Sequence, residues 1–273
     1  MNISPAQLVS LDTFTHLTPE NIEEFKVKGH TLVKGILSKE EIAAYRPVIV
    51  DAAKRYNTEN RKLEDRDTYG KAFLQIMNLW QVDAASKSFV LAKRMAKIAA
   101  DLMGVANVRL YHDQALFKEP GGGPTPWHQD QYYWPIDTNN TVTMWMPLVD
   151  IDRDMGMLTF ASGSYKNSAV FSHQISDESE AAFDQYVKDN NFPISRAETM
   201  KAGDATWHRG FTIHQAPGNK SNKLREVMTV IYIADGARVT PYKNPQQKTD
   251  HHKWLMDKPF GELIDSPLNP LLL

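Results

Sequence analysis

Cysteine is absent from the 273 residues. That excludes disulfides, thiolate nucleophiles, Cys-based zinc sites and iron–sulfur clusters. A surplus of charge is also lacking: 31 basic residues stand against 33 acidic ones, a formal net charge of −2. General nucleic-acid binders usually carry a basic excess, so no nucleic-acid partner is expected. No run approaches the roughly 18 apolar residues that a membrane-spanning helix needs, so no membrane partner is expected either. The opening MNISPAQLVSLDTF has no basic stretch followed by an apolar one. No secretory leader is therefore expected, and the expected location is cytoplasmic. Neither a Gly-x-Ser-x-Gly elbow nor a phosphate-binding glycine loop occurs.

What is present is an ordinary globular composition, 42% hydrophobic and 23% charged. A chain of this length buries roughly 75% of its unfolded surface and needs no crosslink to fold. The first third reads as helical. Thr18 and Pro19 make an N-cap and first-turn pair before ENIEEFKVK, which Gly29 stops. HTLVKGIL reads as a short strand. Ser38 and Glu41 form a capping box that opens a helix through about Tyr56. Residues 57–67 read as a solvated loop. Phe89, Ala92, Met95, Ile98 and Leu102 share helical spacing, which predicts one helix over 86–103.

After Gly104 the period changes. Residues 107–119 read as a strand. Over 141–149 the alternation is clean: Val142, Met144, Met146 and Leu148 face one way, and Thr141, Thr143 and Trp145 the other. Further strands are expected at 157–160, 205–207, around Ile213 and at 225–234, with a helix inserted at 177–188. Helices first and then many short strands predict an α+β protein with a β-sandwich or barrel core.

The motif that stands out is His128-Gln129-Asp130. Residues two apart in a strand point to one side, so an imidazole and a carboxylate can converge there. A third ligand from elsewhere would complete the 2-His-1-carboxylate face of non-haem Fe(II) oxygenases. His-x-Asp alone also arises by chance, with the two residues merely hydrogen-bonded in a turn. His16 and His30 are expected at the surface of the helical prelude, and His251 and His252 in a solvated tail; His173 lies in a serine-rich stretch. His112 and Asp113, as strand neighbours, face opposite ways. His208 and His214 remain, about 20 Å apart if extended, so both reach one metal only if the chain turns at Gly210. Arg225, eleven positions after His214, favours His214. A guanidinium is the natural partner of a carboxylate, and a dicarboxylate cosubstrate needs such an anchor away from the metal.

The stretches QALFKEPGGGPTPWHQDQYYWP, WMPLVDIDRDMGMLTFASGSYK and GDATWHRGFTIHQAPGNKSNKLREVMTVIYI resemble the phytanoyl-CoA dioxygenase family, from about Phe25 to the tail. The resemblance implies a double-stranded β-helix, also called a jelly roll or cupin-like core, with helices packed outside. It implies one dioxygenase domain over 1–273: a helical part over about 1–104, the core over about 105–240 and a tail over 241–273. It implies Fe(II), 2-oxoglutarate and O2, with release of succinate and CO2. His128, Asp130 and His214 match the iron ligands, and Arg225 the residue that holds the far carboxylate of 2-oxoglutarate. Gln114, Trp145 and Gln129 fall at cosubstrate-contact positions. His208 matches a histidine that is not a ligand. Ala216 stands where many relatives have a serine, which leaves one hydroxyl to be supplied elsewhere, by Thr143 or Thr229. Tyr165 replaces a frequent histidine.

The expected partner is a small-molecule substrate. Tyr132, Tyr133, Trp134 and Trp207, with Trp127, are expected to wall its site. QYYWPIDTNNT has no basic residue, which argues for a small, largely apolar metabolite hydroxylated at an aliphatic carbon over a CoA ester. The alternatives are an acyl-CoA hydroxylase of the same family, a cupin-like metal binder without turnover, and a zinc hydrolase on the same triad.

Overall fold

The computed structural model describes residues 8–170 and 177–273; His173 lies outside them. Local signals start the chain as expected. Thr18 caps α1 (Pro19–Lys28) with a reciprocal bond from Asn21, and Gly29, at φ 81°, ends it. Strand β1 (His30–Val33) follows, then α2 (Lys39–Tyr56), opened by the Ser38–Glu41 capping box. Three short helices, α3 (Thr68–Ala72), α4 (Leu79–Val82) and α5 (Ala84–Val90), and the longer α6 (Lys93–Met103) complete the helical layer. Strand β2 (Leu74–Met77), which the sequence pattern does not reveal, lies between α3 and α4.

The single helix expected over 86–103 is two. Ala92 is extended, at φ −62° and ψ 128°. The first free N–H groups of α6 are taken by the N-terminal segment: Lys93 N donates to Asp12 and Arg94 N to the Leu11 carbonyl. These partners are distant in sequence, so helical spacing carries no sign of the break. The segment 57–67 is also less solvated than expected, because Arg66 is buried and paired with Glu119.

The remaining elements are β3 (Val108–Phe117), β4 (Thr125–His128), β5 (Thr141–Pro147), β6 (Ile151–Asp152), β7 (Thr159–Ala161), α7 (Asp177–Asp189), β8 (Ile194–Arg196), β9 (Thr199–Met200), β10 (Ala205–Arg209), β11 (His214–Ala216), β12 (Val227–Ala234) and α8 (Pro245–Trp254). They form a six-stranded sheet in the order β1-β10-β5-β12-β3-β2, a four-stranded sheet in the order β4-β11-β7-β8, and a β6-β9 pair. Every pairing is antiparallel. Among the described residues no helix is long and apolar enough to cross a membrane.

The alternation in β5 holds. Val142, Met144, Met146 and Leu148 pack with Phe89, Met95, Ile98 and Leu102 of the helical layer in the largest core cluster. The opposite face of the large sheet looks toward the small sheet, and the cavity lies there. In β3 a register irregularity skips Tyr111: Ile231 pairs with His112 but Tyr232 with Leu110. Such an extra residue reverses which side chains face which way. Val108 and Leu110 therefore face the helices, while His112, Gln114 and Leu116 line the cavity.

Candidate active site

His128 is the last residue of β4, and His214 opens β11 directly across from it. Cross-strand pairing thus sets the two imidazoles side by side, with ring centroids 4.1 Å apart. Gln129 is extended, so Asp130 returns to the side of His128 as the first residue of a short turn. Asp130 Oδ1 lies 3.6 Å from His128 Nε2 and 3.7 Å from His214 Nε2. One ligand atom from each of the three residues falls within 4.8 Å of the others.

The other imidazole nitrogens are committed. His128 Nδ1 lies 2.7 Å from the Pro126 carbonyl and His214 Nδ1 2.9 Å from the Thr212 carbonyl. A carbonyl only accepts, so each Nδ1 carries the proton and each Nε2 lone pair is free for a metal. Burial, then the neighbouring His128 and His208, push His214 well below its ordinary value, which keeps it neutral. Burial alone would push Asp130 up, yet His214, His128 and His208 together hold it well below the usual carboxylate range. Two imidazoles whose Nε2 atoms face one point and an ionised carboxylate, converging from one side, fit a divalent first-row metal such as Fe(II).

Asp130 Oδ2 is held from behind. It accepts from Thr143 Oγ1 at 2.8 Å and lies 3.2 Å from His208 Nε2. His208 Nδ1 has no partner, which assigns the proton to Nε2 as the donor. The expected 20 Å separation of His208 and His214 does not apply. The chain turns at Gly210, Thr212 N bonds the Arg209 carbonyl, and the two rings stand 4.3 Å apart. A side chain on Gly210 would strike Gln131, Thr141 and Trp134.

A cavity of about 310 Å³ extends from these residues. One end is cationic. Arg225, only 1% exposed, lines it, stacks 5.3 Å over the Trp145 ring and donates from Nη1 to the Gly156 carbonyl at 2.6 Å. Its Nε has no partner. Lys118 pairs with Arg225 backbone to backbone, is fully buried, and donates from Nζ to the Gly123 carbonyl. Neither side chain forms an ion pair with a described residue. Burial pushes Arg225 down to about 9; burial, then the charge of Arg225, pushes Lys118 down to about 6. Gly156, at φ 77°, keeps this end open: a Cβ there would lie 3.3 Å from Arg225 Nη1 and 2.6 Å from the Pro217 carbonyl. Gln114 also lines the cavity, its Oε1 taken by Gln75 Nε2 at 2.6 Å.

The other end is aromatic. Tyr133 and Trp134 line it, as do Tyr69, Phe73 and Met77 from α3, β2 and their junction. Helix α8 contributes Gln246, Thr249, Asp250, Lys253 and Trp254. Burial pushes Asp250 up to about 7 and His112 down to about 4. The expectation of a solvated tail misses α8 altogether. The available signal is Asn244-Pro245, an N-cap whose side chain accepts from Gln247 N, with proline in the first turn. His251 is likewise buried on α8, and His30 is buried in β1, stacked 4.4 Å from Phe160.

Four expected contacts lie elsewhere. The Gln129 side chain donates to the Ser168 and Phe211 carbonyls and accepts from Val170 N, pinning two loops outside the cavity. Trp207 sits in the core under the helices, stacked on Tyr232. Trp127 joins Phe183 in an outer cluster. Tyr132 bonds Gln246 through its hydroxyl instead of lining the cavity.

Residues 25–227 match the family model described as phytanoyl-CoA dioxygenase (PhyH). A probable alpha-ketoglutarate-dependent hypophosphite dioxygenase of Stutzerimonas stutzeri is 24% identical over 231 residues, 80% of this chain and 79% of its own. A phytanoyl-CoA dioxygenase of Arabidopsis thaliana is 24% identical over 259 residues, 81% of this chain and 91% of its own. Among solved structures, the non-heme alpha ketoglutarate dependent carbocyclase SnoK superposes with a TM-score of 0.78 at 24% identity, covering 97% of this chain and 99% of that one. The epimerase SnoN in complex with Fe3+, alpha ketoglutarate and nogalamycin RO superposes at 0.75 and 22% identity, covering 93% and 98%.

Proposed function

Because this chain belongs to the phytanoyl-CoA dioxygenase family, we propose that it hydroxylates an aliphatic carbon of a small, largely apolar metabolite. Its class, an oxygenase that uses Fe(II), 2-oxoglutarate and O2, follows from that membership. The observation that carries the reading is one cavity holding both a three-ligand face and a buried arginine with no carboxylate of its own. A cupin-like metal binder would have no use for that arginine. The two sheets support a double-stranded β-helix, because β3, β5, β10 and β12 of the large sheet alternate along the chain with β4, β7 and β11 of the small one. We take the whole chain as one domain, since a single core cluster runs from Leu11 to Leu272.

His128, Asp130 and His214 would hold the iron, which supplies O2 activation coupled to decarboxylation of the 2-oxo acid and oxidation of a C–H bond. The protein's share is geometry. The Pro126 and Thr212 carbonyls fix the imidazole tautomers, and Thr143 and His208 fix the carboxylate. Arg225 binds the far carboxylate of 2-oxoglutarate, with its guanidinium carbon 5.3 Å over the Trp145 ring. Gln114 is the further candidate contact on that wall. Trp134 and Trp254 line the same cavity, and their rings would help to exclude water from it.

The rings at the substrate end favour an apolar body. The charge there does not favour a phosphate-rich one: Lys253 is offset by Asp250 on the same helix, whereas a CoA ester needs several Lys and Arg. Succinate release measured with a long-chain acyl-CoA, its free acid and a panel of small apolar metabolites tests the reading. Turnover with the CoA ester alone would overturn the substrate class, and succinate from none under Fe(II), 2-oxoglutarate and O2 would overturn the activity.

A further inference from the structure

Helix α8 packs the wrong kind of face against the cavity. A helix laid over a core normally turns an apolar stripe inward. Gln246, Thr249, Asp250 and Lys253, three and four residues apart and so on one face, are what α8 brings to the cavity lining. Asp250 is half-buried and forms no ion pair with a described residue. The Tyr111 hydroxyl donates to its Oδ2 at 3.2 Å, and Trp254 bonds it from the same helix. These contacts fill only part of a carboxylate's roughly four lone-pair sites.

His112 stands on the sheet side of the same wall. It lines the cavity, is 3% exposed, and has its ring centroid 5.4 Å from that of Trp254. Its Nδ1 has no partner. In a regular strand His112 would share the helix-facing side with Val108 and Leu110; the extra residue at Tyr111 aims it into the cavity instead. Burial pushes it down to about 4, which leaves a neutral imidazole with one donor and one acceptor nitrogen. It also feels the charge of Asp130, so a group held by His112 is within reach of the proposed metal face. Around the pair, Phe73, Met77 and Trp134 present apolar surface.

We propose that Asp250 and His112 hold a hydroxyl group of the substrate, which makes the substrate an alcohol: an apolar body whose hydroxyl lies apart from the carbon that is oxidised. The inference rests on the function proposed above and names the substrate class. A hydroxyl both donates and accepts, so it can give its proton to Asp250 and take one from His112. A carboxylate only accepts, and here it would stand beside Asp250. An ammonium only donates, and it would share the wall with Lys253.

Cyclohexylmethanol, cyclohexylmethylamine, cyclohexanecarboxylate and methylcyclohexane, one ring with different heads, provide the test. Calorimetry on the protein loaded with Fe(II) and 2-oxoglutarate, without O2, gives their affinities. A hydrogen bond to a charged group is commonly worth tenfold or more. The alcohol should bind about tenfold more tightly than the hydrocarbon, and more tightly than the amine or the acid. Asp250→Ala and His112→Phe should each remove most of that preference and leave the hydrocarbon's affinity as it was. Tyr111→Phe, which cuts the bond between sheet and helix but touches no substrate, should keep the preference. A Tyr111→Phe loss equal to that of Asp250→Ala would make Asp250 a tether for α8 and overturn the assignment. So would an alcohol no tighter than the hydrocarbon, or an amine or acid that binds best; the function proposed above would survive either result. Binding of none of the four would overturn the apolar-substrate reading itself, and this inference with it.

Discussion

The two ends of the cavity are built from different material. The cationic end is made of strands and the loops that leave them: Arg225 enters β12, Trp145 lies on β5, Thr125 on β4, and Lys118 follows β3. Backbone hydrogen bonds fix those positions, and Arg225, Lys118, Trp145 and Thr125 are all buried. The aromatic end is made of α3, α8 and the turn after Asp130, with Gln246 and Lys253 reaching it from a polar helix. A strand position is set by its register, whereas a helix packed over a sheet can shift and change its side chains. On the function proposed above, the chemistry is anchored in strands, and substrate recognition falls to helices and a turn.

Substitutions that respect this division should separate the functions. Asp130→Ala removes one of the three proposed ligands and the partner of Thr143 and His208, so turnover and tight metal binding should both disappear. Turnover surviving in that variant would place the metal elsewhere. Arg225→Ala should weaken 2-oxoglutarate by roughly 30-fold or more, since losing one member of a buried charge pair costs about 2–5 kcal/mol. Metal affinity, read by chelator competition, should hold. His208→Ala, which loosens the carboxylate without removing a ligand, should cost about tenfold in metal affinity. A complete loss would make His208 a ligand.

The cationic end should also respond to pH. Lys118, pushed down to about 6, is mostly neutral at pH 7.5. An incoming carboxylate favours its charged form, so binding should draw a proton in. Below pH 6 that proton is already bound. Above it, 2-oxoglutarate affinity should fall by up to about tenfold per unit, and calorimetry in buffers of unequal ionisation heat should register the uptake. Arg225, at about 9, stays charged through this window. The smallest effect belongs to the other end. Trp254→Ala should change substrate KM several-fold and leave 2-oxoglutarate affinity as it was; a matching loss of both would erase the boundary between the ends.

The strand-borne end was also the legible one. Period-two alternation puts Thr143 and Trp145 opposite the apolar face of β5, and His-x-Asp spacing puts two candidate ligands on one side. Parity says only that Gln129 faces away from its neighbours, not that Ser168, Val170 and Phe211 wait there. Trp207, an aromatic beside a histidine, has no sequence mark for which sheet face it takes. Helix α8 was hidden by its polarity: it buries Gln247 and His251, so no apolar stripe announces it. The inward turn of His112 depends on an irregular register, which only the partner strand reveals.

The direct pairing of His128 with His214 has a further consequence for how the chain holds together. These residues join strands widely separated in the chain, closing a large loop whose ordering entropy must be met by contacts made late in folding. A metal shared between them would be a removable crosslink across that closure. Ligand that binds only the folded state raises its stability with concentration. Iron supply would then set how long the β4–β11 seam stays shut as well as whether the enzyme turns over, and starvation for iron would expose that seam to proteases first.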